Sequence, residues 1–402
     1  MEQKKTIMFV EASNDMLPWF RRAREFEYRC VVCGTDGTKE MAREADAFYN
    51  ASYFDRQKCI DIARKERVDG VIGGGDQSAL TAAYVAQALS LPGNDPRGLE
   101  RMMNKQEFRQ LQRELGLNAP EFVYASNEVS FLEQVSKMTF PVIVKPGQMS
   151  SSRGVKVFNS FDKDNLREHF LLCKCISYND VVCAEQYFEI PDRVVYEFNP
   201  FVCGDKVIWD GSMVDVHSRY CAEVPSGGSW PMPILPQMRQ KAENDILKVL
   251  LATNFKFGEV NVESFFTSEG DFVILEVNPR RCGGGVQKYI QYSSGKDYIG
   301  MLVSLVVGEK SFFYEQYNSV SSINPISTFA IYSDSERVFN DIYIKDELRP
   351  YLYDICLFKN KGSLIPPCRN YHDMIAKAVF HFPSTEIQKK YIYLMEDFVH
   401  IN

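Results

Sequence analysis

The chain has 402 residues, 45% of them hydrophobic and 25% charged, and a formal net charge of −7. That is the profile of an ordinary globular protein with room for two or three domains. Its acidic balance, with no Lys/Arg cluster interleaved with aromatics, excludes nucleic acid as the natural partner and argues against anionic membranes.

The N-terminal MEQKKTIMFVEASND has an apolar run of only four residues. That is too short for a signal peptide, so a first strand and a cytoplasmic location are expected. The longest apolar stretch, Tyr298 to Val307, is interrupted by Gly300 and Ser304, so no membrane span is expected. Without a secretory signal, the 11 cysteines read as free thiols. Cys30 and Cys33 have CxxC spacing, but they lie in a strand-like run without a second pair at zinc spacing, and buried thiols explain them better. Five scattered histidines suggest no zinc site.

From residue 5 to about 95 strand and helix patterns alternate, which predicts a parallel α/β sheet. The elements are KTIMFVEA, a helix near Met16 to Glu27, YRCVVCG, a short helix near Thr38, CIDIARKERVDGVIGGGD, and a helix from Gln77 to Leu89. Gly73-Gly74-Gly75-Asp76 follows a strand and precedes a helix, where open α/β sheets bind ligands. Lacking GxGxxG spacing, it reads as a tight turn or a substrate contact. Phe108, Leu111 and Leu115 predict a helix from Met102 to Leu115, with Gly116 as its stop. Lys105 near the start of that helix opposes the helix dipole, which fits either a phosphate-facing or a solvated lysine.

FPVIVKPGQMSSSRGVKVFNS gives two strands around the loop Pro146 to Arg153. Small residues there leave backbone N–H groups open to phosphate, and Lys145 adds a point charge. VVCAEQYFEIPDRVVYEF gives strand, turn and strand, with Glu185 at the first strand's end and Asp192 in the turn. An amphipathic helix from Pro236 to Thr253 leads into FGEVNVESFFTSEGDFVILEVNPRRCGGG, a hairpin by its Val, Ile and Phe content and its turn residues. With Glu269 and Gly270 as a two-residue loop, Glu263 faces Glu276. Asn278 shares that face, and Arg280 projects over the same edge. Opposed carboxylates repel unless a cation lies between them, and magnesium takes one or two carboxylates and fills its octahedron with water and phosphate oxygens. A surface hairpin with solvated glutamates is the plainer alternative. The apolar neighbours of this set favour the metal reading.

The order Lys105, VKPG with SSRGV, AEQYFEIPD, then NVESFF and LEVNPR resembles the ATP-grasp superfamily of carboxylate ligases, over about residues 5 to 310. The resemblance implies α/β and α+β architecture. An N-terminal parallel α/β (pre-ATP-grasp) domain at 1–95 precedes ATP-grasp subdomains at 96–185 and 186–310, with a C-terminal α+β extension at 311–402. It implies ATP and Mg²⁺ (or Mn²⁺), with Lys105 and Lys145 on the phosphates and Ser151, Ser152 and Gly154 in the covering loop. It further implies Glu185, Gln186 and Tyr187 at the adenine, Asp192 (or Glu197) at the ribose, and Glu263, Glu276 and Asn278 on the metal. Arg280 and Lys145 would be catalytic, with Arg280 steadying an acyl-phosphate.

The C-terminal extension resembles that of single-chain amino-acid ligases, so the expected activity joins a small-molecule carboxylate to an amine, with a homodimer as the expected assembly. Two alternatives stand beside it. One is a bicarbonate- or small-acid-phosphorylating enzyme like carbamoyl phosphate synthetase, which the single copy of the unit disfavours. The other is a non-catalytic nucleotide-binding scaffold, which the complete metal set disfavours.

Overall fold

Apolar runs separated by helices cannot form hairpins, so the N-terminal strands pair in parallel. In space they run Ala47–Asn50, Arg29–Gly34, Thr6–Phe9 and Gly70–Ile72, a four-stranded parallel sheet as expected. The computed structural model describes residues 4–148, 153–222 and 224–401. Cys30 and Cys33 are buried free thiols on the second of these strands. Gly73 ends the sheet in a turn so tight that a Cβ would lie 2.2 Å from the Ser78 carbonyl oxygen.

The next four strands are antiparallel, in the order Phe122–Ala125, Val182–Gln186, Val142–Pro146 and Lys156–Phe158. Helices Glu128–Val135 and Lys163–Ile176 cover one face of this sheet, burying Phe131, Val135, Leu166 and Phe170 against Val142 and Val144. The largest sheet has eight strands. It begins with the acidic hairpin, Phe272–Asn278 and Asn261–Phe266, and continues through Val194–Phe198, Met213–His217 and Pro225–Trp230. Ile326–Ile331, Ala376–His381 and the edge strand Leu352–Leu357 complete it, so strands from beyond residue 310 extend the sheet that carries the hairpin. Among the described residues no helix is long and apolar enough to cross a membrane.

Two expected helices are interrupted. The one anticipated from Met102 to Leu115 is two, Pro96–Met103 and Lys105–Glu114. Between them the Asn104 side chain accepts from the N–H groups of Gln106 and Glu107 and starts a new helix, the competition with helical backbone that makes Asn a cap. The sequence also predicts a final helix near Ser384 to Val399, and it is two short pieces, Thr385–Lys389 and Met395–Phe398. Tyr391 between them packs beside Phe382, while Ile392 fills a separate cluster with Val194 and Val214.

Candidate active site

Glu263 and Glu276 are direct partners across the hairpin. The chain reaches that register by a different route from the one expected. The loop has three residues, Ser268–Gly270, closed by the Thr267 N–H on the Asp271 carbonyl at 2.9 Å, with Gly270 at φ 87°. Such a loop shifts the ladder by one, and a bulge at Leu275, between the Glu263–Glu276 and Ser264–Ile274 pairs, shifts it back.

The Asn278 amide donates to Asn261 Oδ1 at 3.1 Å and reaches Glu263 Oε1 at 3.5 Å. Lys105 Nζ bonds Glu276 Oε1 at 3.0 Å, and Lys145 Nζ bonds Glu185 Oε2 at 2.5 Å. The two carboxylates titrate apart. Burial, then Glu276, pushes Glu263 up to about 7. Burial acts upward on Glu276 too, but Lys105, Lys145 and Arg280 outweigh it and hold that carboxyl low. The structure thus brings Lys105, Lys145, Glu263, Glu276, Asn278 and Arg280 to one place.

Other predicted positions fall differently. Asp192 sits exposed in its turn with φ 52°, while the alternative, Glu197, pairs with Glu263 in the sheet and belongs to the acidic face. The N–H groups of Gln186 and Tyr187 donate to the carbonyls of Glu121 and Pro141, so they serve the sheet and the turn after it. The Glu185 side chain points inward to Arg109. Gly154 adopts φ 72° and its carbonyl accepts from His169 Nε2 at 3.0 Å. Ser151 and Ser152 lie outside the described residues.

Further residues join the site: Arg109 and Asp215, which the sequence did not single out, and Asp76 and Glu197, which it placed in a turn and at the ribose. Arg109, 1% exposed, grips both oxygens of Glu185 at 2.9 and 3.2 Å and the Leu275 carbonyl at 2.7 Å. Burial pushes the Glu185 carboxyl up, but Arg109 and Lys145 more than offset it, hold it well below the usual carboxylate range and keep it ionised. Asp76 accepts from Arg280 Nε at 2.7 Å, tying the N-terminal sheet's loop to the hairpin. Glu197 and Asp215 are both raised, chiefly by burial, Glu197 then by Asp215 and Glu263.

Two cavities meet at this hairpin. One, about 370 Å³, is lined by Lys105, Gln148, Glu276, Asn278, Arg280 and the Gly74–Asp76 turn. The other, about 270 Å³, is lined by Glu197, Asp215, Glu263, Arg280, Tyr371 and Lys377 among others. Arg280 borders both, and the Glu263–Glu276 pair forms the wall between them. Among the described residues no three His, Cys, Asp or Glu side chains make a ready metal cage. The set is two carboxylates with an amide, donors of the hard-oxygen type that suits magnesium completed by water and phosphate.

The loop carrying Arg280 is anchored by Glu259, which accepts from the Cys282 N–H at 2.9 Å and from Gln287 Nε2 at 2.8 Å. Burial raises Glu259 from 4.5 to about 7. An acid neutralised by folding favours the native state below its unfolded value, and that contribution is lost as the pH rises through the folded one. Gln287 Oε1 is buried without a partner among the described residues, and a protonated Glu259 or a Gln can donate to it. Glu259→Gln is therefore expected to flatten the fall in melting temperature between about pH 5 and pH 7. An unchanged slope in thermal melts would show that another group produces it.

This architecture is the ATP-grasp fold. Residues 111–285 match the family described as D-ala D-ala ligase C-terminus. At TM-score 0.77 the chain superposes on the L-amino acid ligase from Bacillus licheniformis, covering 100% of this chain and 99% of that one at 18% identity. The biotin carboxylase domain of the Hydrogenobacter thermophilus 2-oxoglutarate carboxylase, solved as a dimer with MgADP, ADP and bicarbonate, gives 0.70 over 100% and 91% at 14% identity. In sequence, the chain is 25% identical to the uncharacterized protein y4rH of Sinorhizobium fredii over 81% of its own length and 65% of that protein's. It is 24% identical to the carbamoyl phosphate synthase large chain of Vibrio vulnificus over 55% of its own length and 20% of that chain's. The chain thus spans about two thirds of the first of these relatives and a fifth of the second.

Proposed function

We propose that this protein is an ATP-dependent ligase that joins a small-molecule carboxylate, an amino acid, to an amine through an acyl-phosphate, releasing ADP and phosphate. The observation that carries this reading is the acidic wall shared by two cavities, with Arg280 bordering both. A ligase of this kind needs a nucleotide and an acid–amine pair on either side of one transfer point.

A carboxylate is a poor acyl donor because it must expel oxide. Phosphorylation of its oxygen by ATP supplies a leaving group, and the amine nitrogen then attacks the acyl carbon as phosphate departs. In this reading Lys105 and Lys145 hold the phosphates, with Gly154, Ser151 and Ser152 in the covering loop. The stretch Glu185–Tyr187 flanks adenine and Asp192 meets the ribose. Glu263, Glu276 and Asn278 hold magnesium or manganese, which when bound disperses charge on the transferring phosphoryl group. Arg280, oriented by Asp76, stabilises negative charge on the acyl oxygen. Glu197 and Asp215, made more basic by burial, have the character needed to take a proton from an attacking ammonium. A cytoplasmic homodimer completes the proposal.

A second reading has support from the bicarbonate bound in the carboxylase domain's structure and from the carbamoyl phosphate synthase relatives. It makes bicarbonate or another small acid the phosphoryl acceptor. Release of ADP and phosphate from Mg-ATP, measured with amino acids singly and in pairs and with bicarbonate, separates the two. Release that requires an acid and an amine together is expected. Release with bicarbonate alone would favour the second reading, and none with any combination would leave a nucleotide-binding scaffold.

A further inference from the structure

Strand Ala376–His381, contributed from beyond residue 310, places Lys377 in the cavity on the Glu263 side. Lys377 is half-buried, and a cation withdrawn from part of its water gains from an anion or several acceptors that meet it. Among the described residues no carboxylate stands within ion-pair distance of Lys377, and its Nζ reaches only the Gly284 carbonyl at 3.5 Å and the Tyr289 ring, 5.0 Å from the centroid. Tyr371 comes to the same point. A Cβ placed on Gly284 would be 3.8 Å from the Tyr371 hydroxyl and 4.0 Å from Lys377 Nζ. Two donors from the C-terminal region therefore converge beside the loop that carries Arg280. Glu197, Asp215 and Glu263 line the same cavity. A cavity with carboxylates and an unmatched cation suits a molecule carrying both charges better than a simple amine or a simple acid.

We propose that Lys377, with Tyr371 beside it, reads an anionic group on the amine substrate, so that the acceptor is an amino acid with a free carboxylate. This rests on the ligase reading above and narrows its acceptor. The donor carboxylate must approach Arg280 and the nucleotide, which leaves Lys377 for a second negative group. Specificity for that group would then come from the C-terminal strands.

The test compares alanine with alaninamide, and leucine with leucinamide, as acceptors in Mg-ATP-dependent ADP release by the full chain, Lys377→Met and Lys377→Arg. Thermal melting confirms that each variant folds. The wild type is expected to favour the acids by about tenfold or more in kcat/KM, as for a charge-assisted contact. Lys377→Arg is expected to keep most of that preference, and Lys377→Met to bring the ratio near one by raising KM for the acids. Equal use of acids and amides by the wild type, or an equal loss on both in Lys377→Met, would overturn the inference. If no pair supports release, the ligase reading fails by itself, and calorimetric binding of the same acids and amides decides the role of Lys377. Preferential binding of the acids that Lys377→Met abolishes would uphold it; equal or absent binding would overturn it.

Discussion

Replacing Arg109 with Met is expected to destabilise the fold by about 3 kcal/mol, the scale of breaking a buried ion pair, with Lys145 left as the one cation on Glu185. Arg109 and Glu185 are 1% and 3% exposed, so solvent cannot take over. The guanidinium also serves the Leu275 carbonyl at the hairpin bulge and Gln112 on its own helix, at 2.7 Å each. Three elements would therefore loosen together: helix Lys105–Glu114, strand Val182–Gln186 and the acidic hairpin. Adding Glu185→Gln should recover part of the loss, since in the single variant the buried carboxylate keeps only Lys145 as a cation. Denaturant melts of the two single variants and the double variant give the coupling directly. Additive losses would show that the pair is not the reason for the damage. The pH dependence has the opposite sign to that of Glu259. Glu185 is held low, so its contribution is present above the ordinary carboxylate range and is lost as the pH falls below 4.5 toward the folded value.

Glu276→Gln is expected to lower ADP release by about 10²–10³-fold, the scale set by removing one preorganised charge contact from a reacting centre. Its carboxylate is the acceptor for Lys105 and borders the nucleotide-side cavity. At 37% side-chain exposure it contributes little to stability. Melting temperature should therefore stay within a few degrees while activity collapses. A variant that releases ADP at the wild-type rate would remove Glu276 from the site, and one that unfolds would assign it a structural role.

The hairpin was legible because strand alternation and opposed pairing are local rules, and they placed Glu263 against Glu276. The turn was misread as two residues. The register at the site nevertheless agreed because the bulge at Leu275 offsets the longer loop, a compensation that no residue type in FVILEVN announces. Glu197 and Asp215 were not legible as partners of Glu263. They reach it from strands tens of residues away, and pairing order in a large sheet is set by tertiary packing. Arg109 lies beside Phe108 on an amphipathic helix and reads as a solvated charge. The available signal was on the other side of the pair: Glu185 ends the apolar run VVCAE, and a carboxylate entering a buried strand requires a cation. Asn104 was the corresponding signal for the broken helix, since its cap preference outweighs continuity there. Lys377 carried no local signal, because its surroundings come from the turn after Arg280.

The most direct test of the central claim follows the oxygen atoms. With a donor amino acid labelled with ¹⁸O in its carboxylate and an amine that supports ADP release, an acyl-phosphate route transfers one labelled oxygen to the released phosphate and leaves the other in the new amide. Mass spectrometry of the phosphate is expected to show one ¹⁸O per product formed. Product formation with unlabelled phosphate would contradict carboxylate activation by phosphorylation at the Glu263–Glu276 face.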